Sequence, residues 1–406
     1  MQHATWRSPA IVLLCAATVL SLSLGVRHAF GLFLWPMSAE LGWGRGAFGL
    51  ALAVQNLVWG LTQPIAGHLA DRHGAGRVVF GGALLYGLGL YLMSQAHTEW
   101  GLLVSAGLVI GLGLSGTAYP VVFGVVGRSV APERRSWAMG VAMAAGSLGQ
   151  FVLLPAGDLL IAGVGWSDAL LLFAALALLM VPLSSALVEP GVGQGAGARD
   201  ARSVLGEALR HRGFRLLSFG FFVCGFQVVF IGVHLPAYLS DGGLPSTAGA
   251  MALALIGLFN IVGSYVAGVW GARTAKPLLL AGIYAARLLV IGIFLVLPLS
   301  VWSAYGFAVA MGLLWLSTVP LTNGTVATLF GVGNLSMLAG LVFLFHQLGA
   351  FLGGWLGGYL YDLAGSYTAV WLMAMGLSAV AAVLNLPIRE RPVPRIAGLQ
   401  VPPEAS

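Results

Sequence analysis

Charge is what this chain has least of. Only 8% of its 406 residues are Asp, Glu, Lys or Arg, while 59% are hydrophobic. So few charged side chains cannot cover the surface of a water-soluble fold of this length, and a soluble domain is excluded. Cysteine is scarcer still. Cys15 and Cys224 lie in separate apolar stretches, which argues against a disulfide framework and a thiolate metal cluster and leaves both as packing residues. No glycine-rich nucleotide-binding loop is found, so an ion or solute gradient is the expected energy source. No histidine stands at ligand spacing from a second histidine or a carboxylate inside an apolar run. Neither a metal nor another cofactor is therefore expected, and no catalytic constellation of an enzyme is recognisable.

Apolar length is what the chain has instead. Runs of about 20 residues suffice to cross a bilayer. Twelve are found, near residues 10–35, 46–67, 78–95, 101–126, 136–157, 167–188, 214–238, 247–271, 277–298, 302–328, 335–358 and 367–388. Of the nineteen Lys and Arg, sixteen fall in the N-terminus, the even-numbered loops and the C-terminal tail. Basic loops stay in the cytoplasm, so both termini are expected there, in a multi-pass protein of a bacterial inner membrane. The pI near 9.6 reflects this topology, and no nucleic-acid partner is expected. Arg210, His211, Arg212 and Arg215 are placed to meet anionic headgroups of the lipid bilayer.

The second half of the chain repeats the first at an offset of 200. Gly25, Phe30 and Pro36 recur as Gly225, Phe230 and Pro236, and Pro120 recurs as Pro320. Ser136, Gly140, Leu148, Gly149 and Gly157 recur as Ser336, Gly340, Leu348, Gly349 and Gly357. Glycines and prolines set helix contact and bending, so the backbone plan itself is duplicated. The expected fold is an all-α membrane protein of twelve transmembrane helices in two pseudo-symmetric six-helix bundles. Residues 1–188 form the first bundle and 214–406 the second with a cytoplasmic tail. Between them, 189–213 read as a linker with a Gly-rich stretch at 191–197 and a short surface helix.

Between spans two and three the chain reads Gly67-His68-Leu69-Ala70-Asp71-Arg72-His73-Gly74-Ala75-Gly76-Arg77. Gly74 and Gly76 allow a tight turn, and Asp71 can accept bonds from a neighbouring helix N-terminus or a basic partner. This loop resembles the signature of the major facilitator superfamily, and with twelve spans and a parallel repeat the resemblance covers the whole chain. It implies alternating access by two rocking bundles, with Gly67, Asp71, Arg72, Gly74 and Arg77 as a conformational gate. The second-half loop, from Gly268 to Lys276, has Ala272 where an Asp is expected. The stretches Arg134–Gly146 and Gly357–Tyr367 are similar to the start of span five and the end of span eleven in monocarboxylate and oxalate porters. That branch carries an Asp and an Arg in span eight, where this chain has Asn260 and Ser264, and oxalate exchangers carry a Lys in span eleven near the position of His346.

Ionisable groups inside spans mark candidate sites because lipid solvates them poorly. Here they are Arg27, His28, His234, Arg287 and His346, with no Asp or Glu deep in any span. Such a cavity favours an anionic or neutral small-molecule substrate. The candidate substrate-binding residues are Arg27, Gln55, Tyr119, Gln150, Asn260, Arg287 and His346, with His346 and His234 as candidates for proton coupling. Each has a structural alternative. Arg27 can brace backbone carbonyls, and Arg287 belongs to span nine, which the resemblance places outside the cavity. His346 shares a helix face with Gly349 and Gly353. The expectation is a monomeric secondary transporter for a small organic anion such as a monocarboxylate, possible as a proton symporter. The alternative is an exporter of amphipathic drugs or metabolites.

Overall fold

A computed structural model describes residues 7–42, 45–189 and 201–393. The Gly-rich stretch at 191–197 lies outside the described residues. Within them the chain is helical and carries no strand. Ten segments meet the length and hydropathy of a membrane crossing. Two features bring the passes to the expected twelve. Pro132–Leu187 runs for 56 residues, far beyond the roughly 20 a bilayer needs. It is two passes that turn at Gly165, whose φ of 85° is left-handed and suits only glycine. The helix Arg45–His73 is 29 residues long but less apolar, because Gln55, Asn56, Gln63 and His68 interrupt it.

The remaining spans follow the apolar runs. Span one is Pro9–Phe33, three is Ala75–Ser94, and four is Glu99–Ser129. In the second half, span seven is Arg212–Asp241, eight Thr247–Gly271, nine Lys276–Val296, ten Val301–Phe330, eleven Leu335–Tyr361 and twelve Thr368–Asn385. A ten-residue amphipathic helix, Ala201–Arg210, precedes span seven and buries Val204 and Ala208.

Two spans are broken at matching places. Span four leaves helical geometry at Ala118, with φ −83° and ψ 170°, and resumes at Tyr119 with Pro120 in its first turn. Span ten stops at Leu314 and resumes at Thr318, with Pro320 in its first turn. Proline fits a first helical turn because its missing N–H has no partner there. The break separates Ser115 from Tyr119, so the two do not lie one turn apart on a continuous helix. Pro236, by contrast, sits inside an unbroken helix.

Glycine governs how closely the spans approach, because helices in lipid associate by packing and not by hydrophobic force. A Cβ on Gly149 would collide with the Ser21 carbonyl of span one, and one on Gly349 with the Phe222 carbonyl of span seven. Gly353 and Gly357 continue that contact against Phe226 and His234. The duplicated glycines thus make duplicated joints, five against one and eleven against seven. Across the bundles, Gly140 meets Gly268 (spans five and eight), and Gly340 meets Gln63 and Pro64 (spans eleven and two).

Candidate functional site

Two polar assemblies lie where the bundles meet. One closes the face that carries both described ends of the chain. There Arg7 Nη1 donates to the Val188 carbonyl at 2.9 Å and Val393 N to the Leu329 carbonyl at 3.0 Å. At the end of span two, Asp71 Oδ1 accepts from Ser336 N at 3.1 Å and Oδ2 from Met337 N at 2.8 Å. These are the first amides of span eleven, so the carboxylate caps a helix of the other bundle. Arg128 of span four donates Nη1 to Asp71 Oδ1 at 2.8 Å and to the Val332 carbonyl at 3.1 Å. Its Nε and Nη2 reach the two oxygens of Glu189 at 2.7 and 2.9 Å, a paired grip. Gly67 lies so close to Ser336 that no Cβ fits between them.

Asp71, Gly67 and Gly74 therefore belong to this latch, Gly74 with a φ of 91° at the turn. Arg72 and Arg77 are exposed and stand outside the bonded network. The basic partner is Arg128 instead, joined by Glu189; one ends span four, the other follows span six, and neither carries a motif of its own that distinguishes it from topological charges.

The second assembly lies deeper, at the meeting of spans one, two, four and eleven. Arg27 Nη2 donates to Asn56 Oδ1 at 3.0 Å, while its Nε is buried with no hydrogen-bond partner. Gln347 Nε2 reaches across the bundles to the Asn56 carbonyl at 3.2 Å. Next to it, His346 Nδ1 donates to Gln347 Oε1 at 3.3 Å, leaving a buried Nε2 without a partner. Phe343 stacks on His346 at 5.5 Å and receives the edge of Tyr119 at 5.1 Å and the tilted ring of Trp59 at 4.7 Å. The structure thus brings Arg27, Tyr119 and His346 into one cluster. Asn56 and Gln347 complete it. Neutral amides give no charge signal in a sequence, and only their place next to a span-one arginine and a span-eleven histidine could have marked them.

Arg287 lies behind this cluster, inside the second bundle and 0% exposed. Its Nη1 donates to Gln227 Oε1 at 3.0 Å and its Nη2 to the Leu314 carbonyl at 2.7 Å and to the Trp315 carbonyl. These carbonyls are released where span ten breaks, so the guanidinium caps a helix C-terminus.

The other predicted residues are dispersed. Gln55 is fully buried and donates to the Ala106 carbonyl of span four at 2.7 Å. Asn260 donates to Ser147 Oγ at 2.7 Å and accepts from Leu316 N at 2.9 Å, tying span eight to spans five and ten. Gln150 faces Gly257 across the same five–eight boundary. His234 donates Nε2 to the Gly354 carbonyl at 2.9 Å and stands 5.4 Å from the Tyr367 ring, among aromatics of the second bundle. No group of His, Cys, Asp and Glu among the described residues is arranged to hold a metal.

Cross-bundle hydrogen bonds among the described residues run from the latch to the level of Asn56, Gln347, Ser147 and Asn260. Beyond that level, toward the other face, none is found among them. The face of the chain ends is thus the one fastened by charged groups.

Known proteins share this plan. The sequence profile of the Major Facilitator Superfamily matches residues 13–352. Human monocarboxylate transporter 11 is 31% identical over 385 residues, covering 90% of this chain and 80% of its own. Bovine monocarboxylate transporter 13 is 28% identical over 414 residues, covering 93% and 89%. Among solved structures, the Escherichia coli fucose:proton symporter FucP aligns with a TM-score of 0.75 at 16% identity, covering 93% of this chain and 98% of that one. The human organic anion transporter MFSD10 aligns at 0.67 and 18%, covering 95% and 100%. The two structures bear on the fold alone. With twelve passes, a duplicated glycine plan and a profile match across most of its length, the chain belongs to the Major Facilitator Superfamily of membrane transporters.

Proposed function

We propose that this transporter carries a small organic anion, a monocarboxylate, and that Arg27 takes its carboxylate. The observation that carries this reading is the guanidinium of Arg27 itself. It stands at the bundle boundary, half-buried, bonded to one neutral amide through Nη2, with Nε unpartnered and no acidic side chain bonded to it among the described residues. A carboxylate arriving there accepts paired, charge-assisted bonds and neutralises a cation held in a poorly solvating site. Tyr119, His346 and Trp59 all pack on Phe343 in the same cluster, and Trp59 and Phe343 offer an apolar wall for a short carbon chain. The names of the monocarboxylate transporters to which the chain is similar support the same substrate class.

The basic loops argue for a cytoplasmic latch, and we read the chain as a monomer of a bacterial inner membrane, fastened on its cytoplasmic face. Closing the outer half around the anion and releasing the latch completes alternating access. Labelled lactate and pyruvate, offered to proteoliposomes, test the reading. Arg27→Gln is expected to raise KM by about tenfold to a hundredfold, the worth of one to two charged hydrogen bonds, and Arg27→Lys by less. An unchanged KM in Arg27→Gln removes Arg27 from the site.

A further inference from the structure

Span five starts as span eleven does, but without its anion. Asp71 accepts from the amides of Ser336 and Met337 in the first turn of span eleven. Their repeat partners, Ser136 and Trp137, stand at the same places in the first turn of span five. No side chain caps that turn. Moving Asp71 on by 201 residues, the offset that also relates Gly67 to Gly268, gives Ala272, and its methyl group accepts nothing. Next to it, a Cβ on Gly271 would come within 2.4 Å of Ser136 Oγ, a buried hydroxyl with no hydrogen-bond partner. The protein itself therefore shows what this helix start holds in the other half, an anion, and leaves the place bare here.

The bare place is hollow and cationic. A cavity of about 210 Å³ opens there, lined by Glu133, Arg134 and Trp137 from the first bundle and by Val269, Ala272 and Arg273 from the second. At roughly 30 Å³ per water, that is the room of about seven waters, enough for a phosphate with part of a glycerol. The ion pairs of this face join Arg128 to Asp71 and Glu189, and Lys276 to Glu390. Arg134 and Arg273 take part in none of them among the described residues, and both are exposed. Two guanidiniums against the one carboxylate of Glu133 leave a single positive charge over. Trp270, in the last turn of span eight, is 59% exposed. A bare tryptophan at a span end marks the depth of lipid headgroups.

We propose that this cavity binds the headgroup phosphate of an anionic phospholipid, a monoanionic phosphodiester such as that of phosphatidylglycerol. Its oxygens accept from Arg134 of one bundle and Arg273 of the other, and lie at the positive end of span five. The lipid thus supplies, between spans five and eight, the charge that Asp71 supplies between spans two and eleven. Glu133 on the rim sets the selectivity, because it repels the second charge of a phosphomonoester while tolerating one. Trp137 and Val269 offer apolar contact to the glycerol. Shared by both bundles, the headgroup fastens the same face as the latch. Inorganic phosphate carries similar oxygens, but the depth marked by Trp270 favours the lipid as their source.

The full chain, in a neutral maltoside detergent, is titrated separately with phosphatidylglycerol, phosphatidylcholine and inorganic phosphate, and its melting temperature is followed. Phosphatidylglycerol is expected to raise it most, since the phosphate of phosphatidylcholine carries its own cation and inorganic phosphate lacks the chains. Arg134→Gln with Arg273→Gln is expected to weaken the apparent affinity for phosphatidylglycerol by about tenfold or more, the worth of one charged hydrogen bond. Both side chains are exposed, so the fold is retained, and the melting temperature without lipid checks this. Ala272→Asp is the second variant. It keeps both arginines, fills the cavity with a carboxylate, and is expected to lose the phosphatidylglycerol response. A response equal to that of the unaltered protein in both variants overturns the proposal. Phosphatidylcholine matching phosphatidylglycerol overturns the anionic headgroup, and inorganic phosphate matching it overturns the lipid.

Discussion

Asp71 shows how much one side chain can hold in this molecule. Its carboxylate accepts from two amides of span eleven and from Arg128, and the side chain is 2% exposed. Removing one partner of a buried ion pair costs about 3–5 kcal/mol, because the other charge is left uncompensated. Asp71→Asn keeps the shape and removes the charge. It is expected to loosen the latch, so that the Ser336 and Met337 amides exchange their hydrogens faster and the melting temperature falls. Unchanged exchange and melting would show that Glu189 alone suffices to hold Arg128. The importance of Asp71 is legible in the sequence, because an acid between a span end and a tight glycine turn has few other uses. Its partner is not legible. Arg128 lies 57 positions away, and only the fold distinguishes it from Arg72, which is adjacent in sequence yet exposed. Arg287 is the converse case. The sequence marks it as a buried charge, but its role as a cap on broken span ten depends on a helix break that hydropathy does not register.

At the scale of the element, the spans were largely readable because hydropathy and bilayer thickness fix their number and length. The breaks were less so. Pro120, Pro320 and Pro236 look alike in sequence, yet two open a new segment and one sits inside a continuous helix. What differs is whether neighbouring side chains take up the carbonyls a break exposes, as Arg287 and Gln63 do. Helix starts are similarly settled by single caps. Span seven begins at His211, whose Nδ1 accepts from Phe214 N at 3.3 Å while its ring meets the Phe330 ring edge at 5.5 Å. Burial holds this imidazole below the ordinary histidine range, with Glu207 pulling the other way. A depressed value means the unfolded chain takes up the proton more readily. The cap's contribution is therefore present above about pH 6.5 and is lost as pH falls below it. Acidification should lower the melting temperature of the purified protein, and part of that fall should vanish in His211→Asn, which caps a helix without titrating. An identical pH profile in the variant would assign the whole fall to other groups.

At the scale of the molecule, the repeat is broken where it matters most for gating. The latch of Asp71 on span eleven has a counterpart position at Ala272, next to the start of span five. Glu133, Arg134, Trp137, Val269, Ala272 and Arg273 line a shallow cavity there of about 210 Å³, and Gly271 stands against Ser136, the repeat partner of Ser336. Nothing at Ala272 can accept from the first amides of span five. Among the described residues, the closed face is therefore fastened by a carboxylate on one side of the pseudo-twofold axis and by glycine contacts on the other. A transporter must open this face in every cycle, and one latch leaves a smaller barrier than two. Ala272→Asp restores the missing carboxylate at a helix N-terminus, an interaction worth about 0.3–1 kcal/mol when exposed and up to about 2 kcal/mol when partly buried. The expected result is a higher melting temperature together with slower exchange in proteoliposomes, as the latched state gains stability at the expense of turnover. A variant that melts higher yet exchanges as fast as the unaltered protein would mean that release of this face does not limit the cycle. One that melts lower would mean that Glu133 already occupies the role, and that the new carboxylate meets a like charge.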